Sequence, residues 1–451
     1  MMASHFTPFV EGAPLCAMSR VVLENLFDPK RLDDLFQEKA NWQYQKEVLF
    51  SEVIELMLSV VLRVKPSVHA AYQAQKGQLK VSDQAIYDKL QRMELGISSG
   101  LVVDSAKYLS PAIKKLRTGF ASWIPGYRAK VLDGCHLAAT QGRIRELRKT
   151  IAAPLPGTVL AVYEQETDLV TEVFLTQDGH AQERSLLDEV LEAVNPSDLW
   201  IADRNFCTTD FLLGINARSA YFAIRQHGAL KGKLLDESKD CGTTEGGSLF
   251  EQELKLPMGK EAIVVRRISL VMEDPTRDGE TEIHILTNLP PEVDAGKIAE
   301  GYRNRWSIEK RFYEVTQTMN CEPNTLGYPK AALLAFCLAL VASNAVALIR
   351  ATLRTVHPES EVSAMSSYYM ANEIRETMPG MMIALPPEKW EDYRDLNPDK
   401  LVEVLRFIAK YIKVEKYKKA VRGPKKPPAP KGEYKKGEHI STYKLIKKRR
   451  P

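Results

Sequence analysis

Over roughly the first 122 residues, apolar positions recur every three or four places, the period of helices. LFDPKRLDDLFQEKA and VLFSEVIELMLSVVLRV are the clearest stretches. In QLKVSDQAIYDKLQRM, Ser82 is placed to cap a short helix carrying Ala85, Ile86, Leu90 and Met93 on one side. A short helix after a helix and a turn is compatible with a helix-turn-helix reader of DNA, and equally with an ordinary amphipathic helix. From Trp123 the period shortens to that of strands. RAKVLDG (128–134) reads as a strand, and TVLAVYEQ and LVTEVFLTQ (158–165 and 169–177) read as a hairpin. SLLDEVLEAV (185–194) is helical, DLWIADRNF (198–206) opens as a strand buried on both faces, and AYFAIRQ (220–226) is another strand.

This order, β-β-β-α-β-α-β, predicts an α/β fold with a mixed sheet and helical crossovers. A β-rich insertion follows over about 227–290, with CGTTEGGS, EAIVVRRISLVM and EIHILTNL, and the helical period resumes at Asp294. The expected organisation is an N-terminal helical, DNA-binding domain (1–122), then a catalytic core in two parts (123–226 and 291–356) split by the insertion (227–290). A C-terminal helical region (357–420) and a basic flexible tail (421–451) close the chain.

Ala331 to Ile349, AALLAFCLALVASNAVALI, is close to membrane-spanning length and uncharged. Its alanine content, Ser343, Asn344 and isolation favour a helix buried all round inside a large domain, so no membrane is expected. Charge is unevenly placed. The formal net charge of +4 divides into +13 from Lys410 onward, with sixteen Lys or Arg against three Glu, and −9 over the rest. A basic end of this kind seeks a polyanion, nucleic acid first. The six cysteines are scattered without a CxxC pair, and MMASHFTPFV is no basic-then-apolar leader, which points to a reducing cytoplasm and nucleoid association. Cys135, His136 and Cys207 lie beside acidic residues but do not make the closed set of thiolates and imidazoles that a soft metal needs.

Two aspartates follow apolar strands: Asp133 after KVL and Asp203 after WIA. Each alone reads as a turn or cap residue as readily as a ligand. Further on, GYRNRWSIEKRFYEV sets Tyr302, Arg305, Trp306, Glu309 and Tyr313 on one face of a helix, with Arg303, Ser307 and Arg311 turned elsewhere. Glu309 can close a salt bridge with Arg305 or join the two aspartates. Three carboxylates brought together repel one another unless a cation sits among them, and Mg²⁺ takes oxygen ligands and keeps waters.

With VLDG, IADRNF and Tyr302-x-x-Arg305-x-x-x-Glu309 in that order, 70 and 106 residues apart, the chain resembles the DDE transposases of bacterial insertion sequences. The likeness is to the insertion sequence four family, in the branch with a YREK signature and a β-rich insertion before its glutamate. It covers about residues 123–356 and implies a ribonuclease-H-like fold. It also implies that Asp133, Asp203 and Glu309 hold two Mg²⁺ (or Mn²⁺) ions for strand cleavage at transposon ends and strand transfer into target DNA. Tyr302 and Arg305, joined by Arg204 and Trp306, would meet DNA near the scissile bond, and the synaptic complex would be a homodimer on double-stranded terminal repeats. Arg143, Arg145, Arg148 and Lys149 are placed to track the backbone, or to form a solvated charged helix. The signature's lysine is replaced by Thr316, the feature that favours the other reading, a decayed or domesticated DNA-binding protein. An aromatic platform for a flipped base is expected in the insertion, where Phe250, with Tyr221 and Phe222 at its edge, supplies the candidates.

Overall fold

The computed structural model describes residues 4–45, 47–77, 79–137, 153–258, 261–275, 279–323, 326–420 and 439–448. Its centre is β1 (Arg128–His136), whose Ala129, Val131 and Leu132 are fully buried. After β2 (Ala153–Leu155), β3 (Thr158–Glu164) and β4 (Leu169–Thr176) form the expected hairpin, with β3 antiparallel to β1. β5 (Asp198–Ala202) lies parallel to β1 on its other side, and β6 (Tyr221–Arg225) lies parallel to β5. Parallel neighbours need crossovers.

In the order β4-β3-β1-β5-β6 this half of the sheet is buried on both faces. Val131, Val159, Ala161, Leu199 and Ile201 belong to one apolar cluster. Leu132, Leu160, Val162, Trp200 and Ala202 belong to the other. That is why these strands read as continuous apolar runs.

The first face is covered by a helical layer built largely from the chain's start. It comprises α1 (Thr7–Gly12), α2 (Pro14–Leu26), α3 (Pro29–Lys39), α4 (Phe50–Val61), α5 (Val68–Gln75), α6 (Asp83–Arg92) and α7 (Leu95–Leu116). Ser82 caps α6, accepting from the Ala85 amide at 3.2 Å, and Ile86, Leu90 and Met93 are buried as the period predicts. On the other face, α8 (Leu187–Glu192) and α9 (Thr209–Ala217) make the crossovers.

The 227–290 stretch is β-rich: β7 (Lys233–Leu234), β8 (Lys239–Thr244), β9 (Gly247–Met258), β10 (Glu261–Val271) and β11 (Glu282–Thr287). It is not a separate body. β11 pairs antiparallel with β6, so these strands prolong the same sheet to ten members.

Asp294 caps α10 (Ala295–Arg303), which leads to α11 (Trp306–Thr318) and α12 (Pro329–Leu353). α12 holds the long uncharged run. It packs against α7, β4 and α2, and against α15 (Pro398–Ala409), which follows α13 (Glu359–Ser363) and α14 (Ser367–Ala384). Its side chains are buried almost all round, so its hydrophobicity is that of a core helix. Asn344 shows how the polar positions fit: it bonds the Val170 amide and carbonyl, each at 2.9 Å, and ties the helix to β4.

Two boundaries differ from the sequence reading. Helices 1–122 share one core with α12 and the sheet, because α7 lies directly on α12 and β4. At the far end, β12 (His439–Ser441) pairs with β2 and leads into α16 (Thr442–Lys447), where an extended tail was expected. Ser441 Oγ donates to Asp178 at 2.6 Å, and Lys444 bridges the same carboxylate at 3.0 Å.

Candidate active site at the carboxyl end of the central strands

Leu132 and Ala202 are the last partners in the β1–β5 register, so Asp133 and Asp203 stand next along two adjacent parallel strands. Neighbouring strands lie about 4.8 Å apart, and the crevice beyond their carboxyl ends is where such sheets present reactive groups. β1 does not end at Asp133; it runs on to His136 against β3 alone. The aspartate therefore sits where β5 peels away. Asp203 is also the cap residue its type suggests, since it accepts from the Asn205 amide at 2.8 Å at the start of the short turn Arg204–Phe206. Asp133 accepts from the Gly134 amide at 3.0 Å.

The third carboxylate comes from the far side of the chain. The expected single helix through Tyr302 and Glu309 is broken at Asn304–Arg305 into α10 and α11. The break places Arg305, only 9% exposed, directly before α11. Its Nη1 lies 3.4 Å from Asp133 Oδ2, and its Nη2 lies 3.1 Å from Glu309 Oε1. The salt bridge expected of Glu309 is therefore present, and the same guanidinium links it to Asp133. The Nε of the same guanidinium is buried without a hydrogen-bond partner.

Burial drives the electrostatics here. It pushes the Asp133 carboxyl up to about 7; Arg305 and the Gly134 amide oppose the rise, and Asp203 and Glu309 add to it. Burial also takes the Tyr302 hydroxyl up to about 12, against the pull of Arg305. On Arg305, burial works against the charge, yet Tyr302, Asp133, Glu309 and Asp203 together raise its pKa and keep it cationic. Among the described residues, Arg305 is the cation that bridges Asp133 and Glu309 in this acidic cluster.

Glu183 went unnoticed in the sequence. It sits in the turn before α8, where its carboxylate accepts from Asn205 Nδ2 at 2.5 Å and lies 4.0 Å from His136 Nε2. It also presses on Gly134 so closely that a Cβ there would displace its carboxylate. No motif marks Glu183; only the fold brings QERS against the strand ends.

Other expected residues divide. Arg204 is engaged by Glu280 at 2.9 Å, beside Arg225, which the same carboxylate holds at 2.5 Å. Trp306 is 63% exposed at the first position of α11. Phe222 is fully buried, Phe250 is half-buried on β9, and Tyr221 stands edge-on to Tyr127 at 4.8 Å. The Cys135 and Cys207 thiols are raised to about 12 and about 11, chiefly by burial, so both stay protonated and pack. Thr316 donates back to the Tyr313 carbonyl at 2.9 Å. Arg143, Arg145, Arg148 and Lys149 lie outside the described residues.

The donors are carboxylate oxygens, the chemistry that a hard divalent cation requires. Among the described residues, no three acidic, His or Cys groups already form a cage, because the Arg305 fork stands between Asp133 and Glu309.

Residues 157–345 match the family model of the transposase DDE domain. The match spans Asp203, Tyr302, Arg305 and Glu309, begins after Asp133, and supports a DDE transposase. No match to a curated protein was found. Among solved structures, the chain is similar to the piggyBac transposase in its synaptic complex with hairpin DNA, at 8% identity and a TM-score of 0.37. That alignment covers 87% of this chain and 85% of the other.

Proposed function

We infer that the chain is a transposase of the insertion sequence four family, YREK branch, with a ribonuclease-H-like core. In this reading it cleaves DNA at transposon ends and joins them to a target by in-line displacement at phosphorus. The observation that carries this is the placement of Asp133 and Asp203 directly after the last paired residues of two adjacent parallel strands, with Glu309 linked to Asp133 across Arg305. A central strand flanked by an antiparallel hairpin on one side and two parallel strands on the other supports the fold assignment.

Asp133, Asp203 and Glu309 would hold two Mg²⁺ or Mn²⁺ ions, which when bound supply activation of the attacking oxygen and stabilisation of the leaving one. The chain's own residues bind and orient. Arg305, already charged and desolvated, exchanges carboxylate contacts for a phosphate oxygen, a use suited to its fixed fork of donors. Tyr302, held protonated, offers a hydroxyl donor at the same place. Trp306 presents a ring to solvent one turn before Glu309, fit to stack on a base. Arg204 lies one residue beyond Asp203 for the backbone. The partners are terminal repeats and target duplex in the nucleoid, gathered by a homodimer.

The test is divalent-metal-dependent nicking of DNA carrying the element's own ends. Asp133→Asn, Asp203→Asn and Glu309→Gln, each folded, should abolish it. Cutting at the parental rate by any of the three would remove that residue from the triad.

A further inference from the structure

A groove of about 710 Å³ lies apart from the carboxylate cluster and shares no residue with it. It is built where distant segments meet: the loop after α3, the end of α6, the residue after β4, the start of α12, and α16. Arg92, Lys330 and Lys447 line it, against Asp88 as the opposing charge, and so do the rings of Trp42 and Tyr443. Lys330 Nζ stands 5.0 Å from the Trp42 ring centre, and Lys447 Nζ stands 5.9 Å from that of Tyr443. Trp42 is 56% exposed. Rings and cations so interleaved make a surface for a polyanion with flat faces.

Its position selects which polyanion. His136, Thr158 and Thr176 are register partners across β1, β3 and β4, so Gln177, which lines the groove, lies at the same sheet end as Asp133. Asp133 is level with Ala161 and Val173, so Gln177 lies two strand spacings of about 4.8 Å across from it and four residues, at about 3.3 Å each, further along. At about 3.4 Å per base pair, a duplex seated on the carboxylates reaches the groove within roughly three to six pairs.

We propose that this groove binds the phosphate backbone of duplex DNA a few base pairs from the scissile bond, with Arg92, Lys330 and Lys447 as phosphate contacts and Trp42 as an apolar wall. The duplex is the substrate of the function proposed above, and the inference rests on that reading for its ligand.

The test uses the full chain and a fluorescein-labelled duplex of 20 arbitrary base pairs, without divalent metal, so that binding is read apart from cutting. With Arg92→Ala, Lys330→Ala and Lys447→Ala combined, affinity should fall at least tenfold. The slope of log affinity against log salt should flatten by about 2 to 3, near 0.9 per phosphate contact. A control set on another basic hollow, Lys115→Ala, Arg406→Ala and Lys410→Ala, should leave both unchanged. Unchanged affinity and slope in the groove variant, or equal losses in both variants, would overturn the assignment. So would a groove variant that loses single-stranded DNA or an acidic peptide yet holds duplex as before. A parent that binds duplex through the groove but never nicks transposon ends would sink the proposed reaction and leave the groove standing.

Discussion

Arg305 and Arg311 lie on opposite sides of the α11 start, and each buries a guanidinium against an aspartate, with opposite results. Arg311 is saturated: it bridges the Asp168 carboxylate, reaches the Asp168 carbonyl at 3.2 Å, and touches Ser343 Oγ at 3.3 Å. Asp168 also accepts from the Tyr163 hydroxyl at 2.7 Å. Burial alone would raise that carboxyl, but Arg311 and Tyr163 outweigh it and hold it below its ordinary value. Arg305 is divided between Asp133 and Glu309, keeps an unpartnered Nε, and leaves Asp133 raised to about 7. A pair meant only to hold a fold is closed. The pair at the strand ends is under-satisfied, the condition expected where another charged group must enter.

The largest expected effect breaks the functional side. Asp203→Asn should lower metal-dependent nicking by about 10²- to 10³-fold or more, taking the loss of one preorganised electrostatic group as the lower guide. Its urea midpoint should stay near the parent's, because asparagine can still cap the Arg204–Phe206 turn. A large loss of stability would mark Asp203 as structural first.

The structural side should break the other way. Asp168→Ala strands Arg311 in the core and should cost about 3–5 kcal/mol in urea unfolding, as removal of one member of a buried pair does. Replacing both, Asp168→Leu with Arg311→Met, should recover much of that. A loss below about 1 kcal/mol in the single variant would show that the two pairs do not differ in kind.

pH sharpens the contrast. A carboxyl raised from 3.8 to about 7 keeps its proton in the folded chain while the unfolded chain releases it, so stability is lost as pH climbs between those values and then levels off. In metal-free buffer, Asp133→Asn should therefore match the parent near pH 4 and exceed it increasingly up to pH 7, by at most about 4 kcal/mol. Asp168 has the reverse sign: its depressed pKa contributes stability above the ordinary carboxyl range that is lost as the solution is acidified. Melting curves that run parallel from pH 4 to 8 would remove the burial argument for Asp133.

Strand order, the buried nature of α12 and the Ser82 cap were legible because period, run length and cap chemistry are local. The two aspartates were legible because each follows an apolar strand. What the local pattern could not reveal depends on chain segments meeting across the sheet. Glu183 reaches Gly134 only through the β4–α8 turn, and Arg311 was expected merely to point away, whereas it points inward to Asp168. The insertion read as a separate texture because β6–β11 pairing joins residues about sixty places apart, which no window of alternation reports. The break before Arg305 was equally invisible, since Asn304 and Arg305 both keep right-handed helical dihedrals and the apolar period runs through them.

The smallest expected effect concerns Thr316, where the resemblance calls for lysine. The threonine hydroxyl is spent on the Tyr313 carbonyl within its own helix, and Tyr313 itself is 55% exposed. A lysine there gains a point charge on a flexible stem near the helix's outer face, and its ammonium would add a cation to Arg305, which is proposed above to meet DNA. Thr316→Lys should therefore tighten duplex binding by about threefold at low salt, the worth of one exposed phosphate contact, with the gain fading as salt rises. If nicking rose at saturating DNA while affinity stayed fixed, the position would instead serve the reacting phosphate. Arg305 would then share the service of the carboxylate cluster with a second cation, the one missing at position 316.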